Sequence, residues 1–82
     1  MKLFIVSKAK KQLDKIPDPI AKTIADDLLS LSSNPYPPNS KKLQGEDNYR
    51  LRIGSFRAIY TIDKKKKEIV ILRIAYRKTV YR

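Results

Sequence analysis

The chain has 82 residues, 19 of them Lys or Arg and 8 Asp or Glu, giving a formal charge of +11 with no His and no Cys. That length fits one small domain, residues 1–82, able to bury only about 60% of the surface its unfolded chain exposes, so a deep multi-substrate cleft is not expected. The missing Cys and His remove disulfides, thiol nucleophiles, thiolate metal sites and the usual near-neutral acid–base group. A His–His ribonuclease, a Ser–His–Asp hydrolase and a zinc enzyme are therefore excluded, and no cofactor is expected.

Leu3 to Val6 reads as a short buried strand. The apolar run there is too short for a signal-peptide core, and no stretch approaches the ~20 apolar residues of a membrane span, so a soluble cytoplasmic protein is expected. Ser7 is placed to cap a helix from Lys8 to about Ile16, with Ala9, Leu13 and Ile16 on one face. Pro17 stops it. Asp18 and Pro19 suit the N-cap and first position of a second helix, whose apolar stripe is Ile20, Ile24, Leu28 and Leu31. The two helices predict an antiparallel hairpin. Ser32-Ser33-Asn34-Pro35 ends the second helix, and Pro35 to Asn39 reads as a stiff connector.

The remainder reads as a three-stranded antiparallel meander. Tyr49 to Ile53 alternates strictly, Phe56 to Ile62 is rich in β-formers, and Gly54-Ser55 between them suits a type II′ turn. Asp63 to Glu68 is a Lys-rich turn, and Ile69 to Tyr76 is a third, mostly apolar strand. The predicted class is α+β, with an N-terminal strand and the helices packed on one face of a mostly antiparallel sheet.

Charge is unevenly divided. Residues 1–48 carry a net +2 and residues 49–82 a net +9. Such density attracts polyanions, above all nucleic acid. A membrane surface fits less well, because no basic amphipathic helix with a large apolar face is present.

A two-residue loop at Gly54-Ser55 fixes the hairpin register. Ile53 then opposes Phe56, Arg52 opposes Arg57, Leu51 opposes Ala58, Arg50 opposes Ile59 and Tyr49 opposes Tyr60. One face becomes Tyr49, Leu51, Ile53, Phe56, Ala58 and Tyr60, a core for the helices to cover. The other presents Arg50, Arg52 and Arg57. Like charges opposed across strands destabilise a sheet, so three guanidiniums on one face are better suited to gripping phosphate with planar, paired donors. Lys64 to Lys67 reads as a solvated turn. In a chain without His, Tyr81 near several Arg is a candidate for proton chemistry, because neighbouring positive charge favours the phenolate.

The motifs Lys41-Lys42-Leu43-Gln44-Gly45, Tyr49-Arg50-Leu51-Arg52-Ile53-Gly54, Phe56-Arg57-Ala58-Ile59-Tyr60 and Tyr76-Arg77-Lys78-Thr79-Val80-Tyr81-Arg82, in this order and spacing, give the chain a specific likeness. It resembles the RelE/ParE superfamily of toxin–antitoxin proteins, and within it the RelE-like mRNA interferase branch of type II systems. The resemblance implies a RelE-like fold and a toxin that enters the ribosomal 30S A site. There it cleaves mRNA by attack of a ribose 2′-hydroxyl on the adjacent phosphate, without metal. It further implies that Arg57 holds the scissile phosphate, that Arg77 stabilises the transition state or serves the leaving group, and that Tyr81 acts near the 2′-hydroxyl. Arg50 and Arg52 match two basic positions that are Lys in the best-known members, and Lys41, Lys42, Lys78 and Arg82 are expected RNA contacts.

The chain also departs from its relatives. Arg, with a pKa above ~12, is a poor general base, so a Lys-type base role does not carry over to Arg50 or Arg52. That leaves Tyr81 or a ribosomal group. Some relatives carry His where this chain has Tyr76, and some have an extra C-terminal helix where this chain stops at Arg82. The expected partners are a cognate acidic RelB-like antitoxin, whose segment folds over the Arg face, and the ribosome with its mRNA. Two other readings compete: a ParE-like DNA gyrase inhibitor, and a non-catalytic basic RNA- or ribosome-binding module.

Overall fold

The fold is organised around the turn at Gly54-Ser55. In the computed structural model, which describes residues 1–43 and 47–76, Gly54 has φ +59° and Ser55 has no positive φ, the combination a type II′ turn requires. It joins a strand Asn48–Ile53 to a strand Phe56–Asp63 in the anticipated register, from Tyr49 opposite Tyr60 to Ile53 opposite Phe56.

In chain order the elements are β1 (Lys2–Ile5), α1 (Ser7–Asp14), α2 (Ile20–Ser30), β2 (Ser40–Lys42), β3 (Asn48–Ile53), β4 (Phe56–Asp63) and β5 (Glu68–Tyr76). The sheet order is β1-β5-β4-β3-β2, with β1 parallel to β5 and every other pair antiparallel. The α+β class holds, with one strand more than the sequence suggested. Ser40–Lys42, just beyond the expected connector and given no element from the sequence, pairs with β3. Asn39 anchors it, since its side-chain Nδ2 donates to the Arg52 carbonyl at 2.6 Å and its own carbonyl accepts from the Arg52 N–H at 2.9 Å.

The helices cover one face. Ala9 from α1, Ile24 and Leu28 from α2, and Leu31 just beyond α2 pack against Leu51, Ile53, Ala58, Tyr60, Ile69, Ile71 and Ile74 of the sheet. Tyr49 and Phe56, expected in this face, sit at its margins and are partly buried. Leu13 and Ile16 of the first helical segment and Ala21 and Ala25 of α2 line one shallow depression between them.

Helix ends differ from the sequence reading. Ser7 is the first residue of α1 rather than its cap, and α1 ends at Asp14 instead of Ile16. The Lys15 and Ile16 N–H groups turn back onto Gln12 and Leu13 carbonyls, tightening the last turn so that Ile16 still reaches the core. Asp18 does not cap α2. The Pro17 and Pro19 carbonyls accept instead from the Ala21 and Thr23 N–H groups, both at 3.1 Å. Ile20, read as part of the apolar stripe, is exposed.

β1 is an edge strand rather than a buried one, with Phe4 47% and Ile5 37% exposed. Its pairing ends at Ile5 opposite Ile71, and beyond that point the Gln12 side-chain oxygen accepts the Ile74 N–H at 2.8 Å. This side chain supplies an acceptor that the strand no longer provides. The Lys64–Lys67 turn is exposed as expected, with Asp63 Oδ1 accepting from the Lys65 and Lys66 N–H groups at 3.0 and 3.1 Å. Among the described residues no helix is long and apolar enough to cross a membrane.

Candidate nucleic-acid interface

Alternation along β3 and β4 sends Leu51, Ile53, Ala58 and Tyr60 to the helices and Arg50, Arg52 and Arg57 to the opposite, outer face. Arg52 lies directly across from Arg57, and Arg50 is two pairs along, next on the same face. Lys41 of β2 opposes Arg50, so the basic row reaches the sheet edge. Lys42 does not share this face. It opposes Tyr49 and borders a separate shallow cleft with Asp47, Asp63, Lys64 and Lys65.

The Arg residues differ in exposure because their strands differ in position. Arg57 stands on β4, the central strand, and is only 6% exposed, whereas Arg52 is exposed and Arg50 half-buried. A guanidinium held on a central strand is pre-organised, and paired N–H donors suit a phosphate. Arg77, Lys78, Tyr81 and Arg82 lie outside the described residues, as do Gln44 and Gly45; β5 ends at Tyr76, immediately before Arg77.

One basic residue of this face was absent from the sequence reading. Arg73 on β5 opposes Ile59, which itself opposes Arg50, so Arg50, Ile59 and Arg73 form one cross-strand row. The next row is Arg52, Arg57 and Ala75.

Behind this face lies an aromatic support. Tyr49 stacks on Tyr60 with ring centroids 5.5 Å apart, and Tyr36 meets Tyr49 edge-on at the same separation. The Tyr60 hydroxyl donates to the Pro35 carbonyl at 2.8 Å, fastening the connector to β4. Burial pushes the Tyr60 phenol above the ordinary tyrosine value, with smaller upward contributions from Tyr49 and Tyr36 and an opposing hydrogen bond with Ser40. Tyr60 therefore stays neutral and structural. At the other end of the sheet Phe56 and Tyr76 oppose each other in register and meet edge-on at 5.5 Å.

A sheet with one face packed against two helices and Arg and Lys residues on the other defines a small basic α+β protein. Residues 3–81 match the model of the family described as ParE toxin of type II toxin-antitoxin system, parDE. A curated chain from Methanocaldococcus jannaschii, described as "Putative toxin RelE1", is 33% identical over 76 residues, covering 88% of this chain and 84% of that one. The chain belongs to the ParE toxin family of type II toxin–antitoxin systems, within the RelE/ParE superfamily.

Solved structures agree. The RelE–RelB complex of Pyrococcus horikoshii superposes with a TM-score of 0.85 at 28% identity, covering 96% of this chain and 97% of that chain. The RelBE2 toxin–antitoxin complex of Mycobacterium tuberculosis gives 0.82 at 27% identity, covering 92% and 95%. The isolated E. coli RelE toxin shares the fold with a TM-score of 0.79 at 18% identity, covering 92% and 82%.

Proposed function

We propose that this toxin is a ribosome-dependent endoribonuclease that cleaves mRNA in the A site, halts translation in the cytoplasm, and is held in check by an acidic RelB-like antitoxin. The observation that carries this reading is the shared outer face of Arg50, Arg52 and Arg57, where cross-strand charge repulsion is retained on an otherwise well-packed sheet. The 2′-oxygen attacks the neighbouring phosphorus while the bond from phosphorus to the 5′-oxygen breaks, leaving a 2′,3′-cyclic phosphate and a 5′-hydroxyl. One proton leaves the 2′-hydroxyl and another reaches the departing 5′-oxygen. Arg57, fixed on the central strand, binds the scissile phosphate. Arg77 stabilises the charge that builds on it, and Tyr81 handles the proton at the 2′-oxygen. Arg50, Arg52, Lys41, Lys78 and Arg82 hold the flanking backbone, and Lys42 serves RNA from the neighbouring cleft rather than from the Arg face.

The matched family carries the ParE name, and the second reading is the ParE-like gyrase inhibitor of the resemblance. Primer extension on 70S ribosomes with mRNA and purified protein separates the two: cuts phased to codons support the nuclease, and gyrase that no longer supercoils relaxed DNA supports the poison. Arg77→Ala and Tyr81→Phe are expected to abolish growth inhibition while antitoxin binding persists. If both variants stay as toxic as wild type, the nuclease reading fails.

A further inference from the structure

Period-two alternation set by the buried Ile69 and Ile71 would turn residue 73 into the core. It does not, because the register shifts. Tyr60 opposes Ile71 and Ile59 opposes Arg73, leaving Leu72 as an extra residue on β5. A bulge of this kind re-aims every side chain beyond it. Ile74 takes the core place opposite Ala58, and Arg73 emerges beside the other arginines, as a diagonal neighbour of Arg57.

A second observation concerns the side chain itself. Arg73 is half-buried, and its Nε is buried without a hydrogen-bond partner among the described residues. Burying a charged donor unsatisfied costs stability, and like charges on the same face add to that cost. Packing alone would favour an apolar residue here. An anion held by the half-buried guanidinium would offset this cost.

We infer that Arg73 binds an RNA backbone phosphate adjacent to the one held by Arg57, so that the strand is gripped on more than one phosphate across β3, β4 and β5. The inference rests on the RNA-cleaving reading for its ligand but not for its geometry. Arg57 addresses the reacting phosphate, while Arg73 fixes the neighbouring one and sets the register of the strand. This makes the bulge a functional device, since without it the fourth guanidinium would point into the core.

The test uses the full chain and a short single-stranded RNA lacking the 2′-hydroxyl at its central nucleotide, titrated by fluorescence anisotropy across a salt series. Arg73→Leu is expected to weaken binding about tenfold at low salt. The slope of log affinity against log salt should fall by about 0.7, the share of one phosphate contact on a single strand. Arg73→Lys should keep the slope and recover only part of the affinity, having charge without the fork. The melting temperature of Arg73→Leu should equal or exceed wild type, because the orphaned donor is gone.

Unchanged RNA affinity and slope in Arg73→Leu would overturn the inference, as would a lowered melting temperature, which marks a structural role. Lost binding to polyglutamate with RNA binding intact would overturn it in favour of an acidic protein partner. If wild type fails to cut mRNA on ribosomes while Arg73→Leu still shows the weaker, shallower RNA binding, the nuclease reading falls and the Arg73 contact stands.

Discussion

The two faces of the β3–β4 hairpin are built from alternate residues of the same strands, yet opposite physics governs them. On the inner face Leu51, Ala58 and Tyr60 are closed to solvent in the core, and Tyr49 and Phe56 pack against its margin. On the outer face Arg52 stands opposite Arg57 with Arg50 and Arg73 beside them. The inner face is explained by folding alone. On the outer face the opposed arginines repel one another, a cost that the proposed binding of a polyanion would offset. Stability and the proposed function are thus divided between alternate positions of each strand.

The largest expected effect tests the inner face. Leu51→Ala, at a site 1% exposed, should cost about 2–5 kcal/mol in urea denaturation. A loss below about 1 kcal/mol would show that this side can collapse around a cavity and is not rigidly packed.

A smaller effect belongs to Tyr60→Phe. It keeps the ring stacked on Tyr49 but removes the hydrogen bond to Pro35, costing about 1 kcal/mol at neutral pH. Above pH 10.0 the gap should narrow. Burial raises the folded phenol, so the folded state keeps a proton that the unfolded chain releases. Wild-type stability therefore declines as pH rises from the ordinary tyrosine value through the higher folded one, and Phe lacks that component. Urea midpoints for both proteins at about pH 8 and about pH 11 check this; a gap that widens with pH contradicts the assigned burial.

The smallest effect tests the outer face. Arg52→Thr relieves the cross-strand repulsion and should stabilise the protein by about 0.2–1 kcal/mol while weakening RNA binding. Calorimetric melting and the RNA titration, read together, must move in opposite directions. If both fall, Arg52 supports the fold, and the division between the faces is less clean than the register implies.

The register of the hairpin was legible because Gly54-Ser55 permits one two-residue turn and the alternation of Tyr49 to Ile53 is unbroken. The arginine face followed from it. What escaped the sequence did so for local reasons. Ser40–Lys42 carries no apolar alternation, and backbone pairing plus Asn39 makes it a strand. Leu3 to Val6 reads as buried on both sides because an apolar run carries no period, yet the strand lies at an edge. Arg73 was missed because its placement depends on the bulge at Leu72. Its trace in the sequence is slight: Ile71 and Ile74 are both apolar but three apart, which a regular strand cannot send to one face. Arg77, Lys78, Tyr81 and Arg82 lie beyond the described residues, so their part in the site rests on family resemblance and on the proposed variants.

The parallel pairing of β1 with β5 carries a consequence for synthesis. Lys2 sits beside Glu68 and Ile5 beside Ile71, so β1 has as its partner a strand synthesised more than 60 residues later. Until Glu68–Tyr76 emerges, Leu3, Phe4 and Ile5 have no sheet to join, and long-range pairings of this kind form late. The same late strand brings Arg73 to the outer face. A nascent chain that lacks β5 therefore carries neither β1 paired in the sheet nor Arg73 on the outer face, and both appear together once β5 is made.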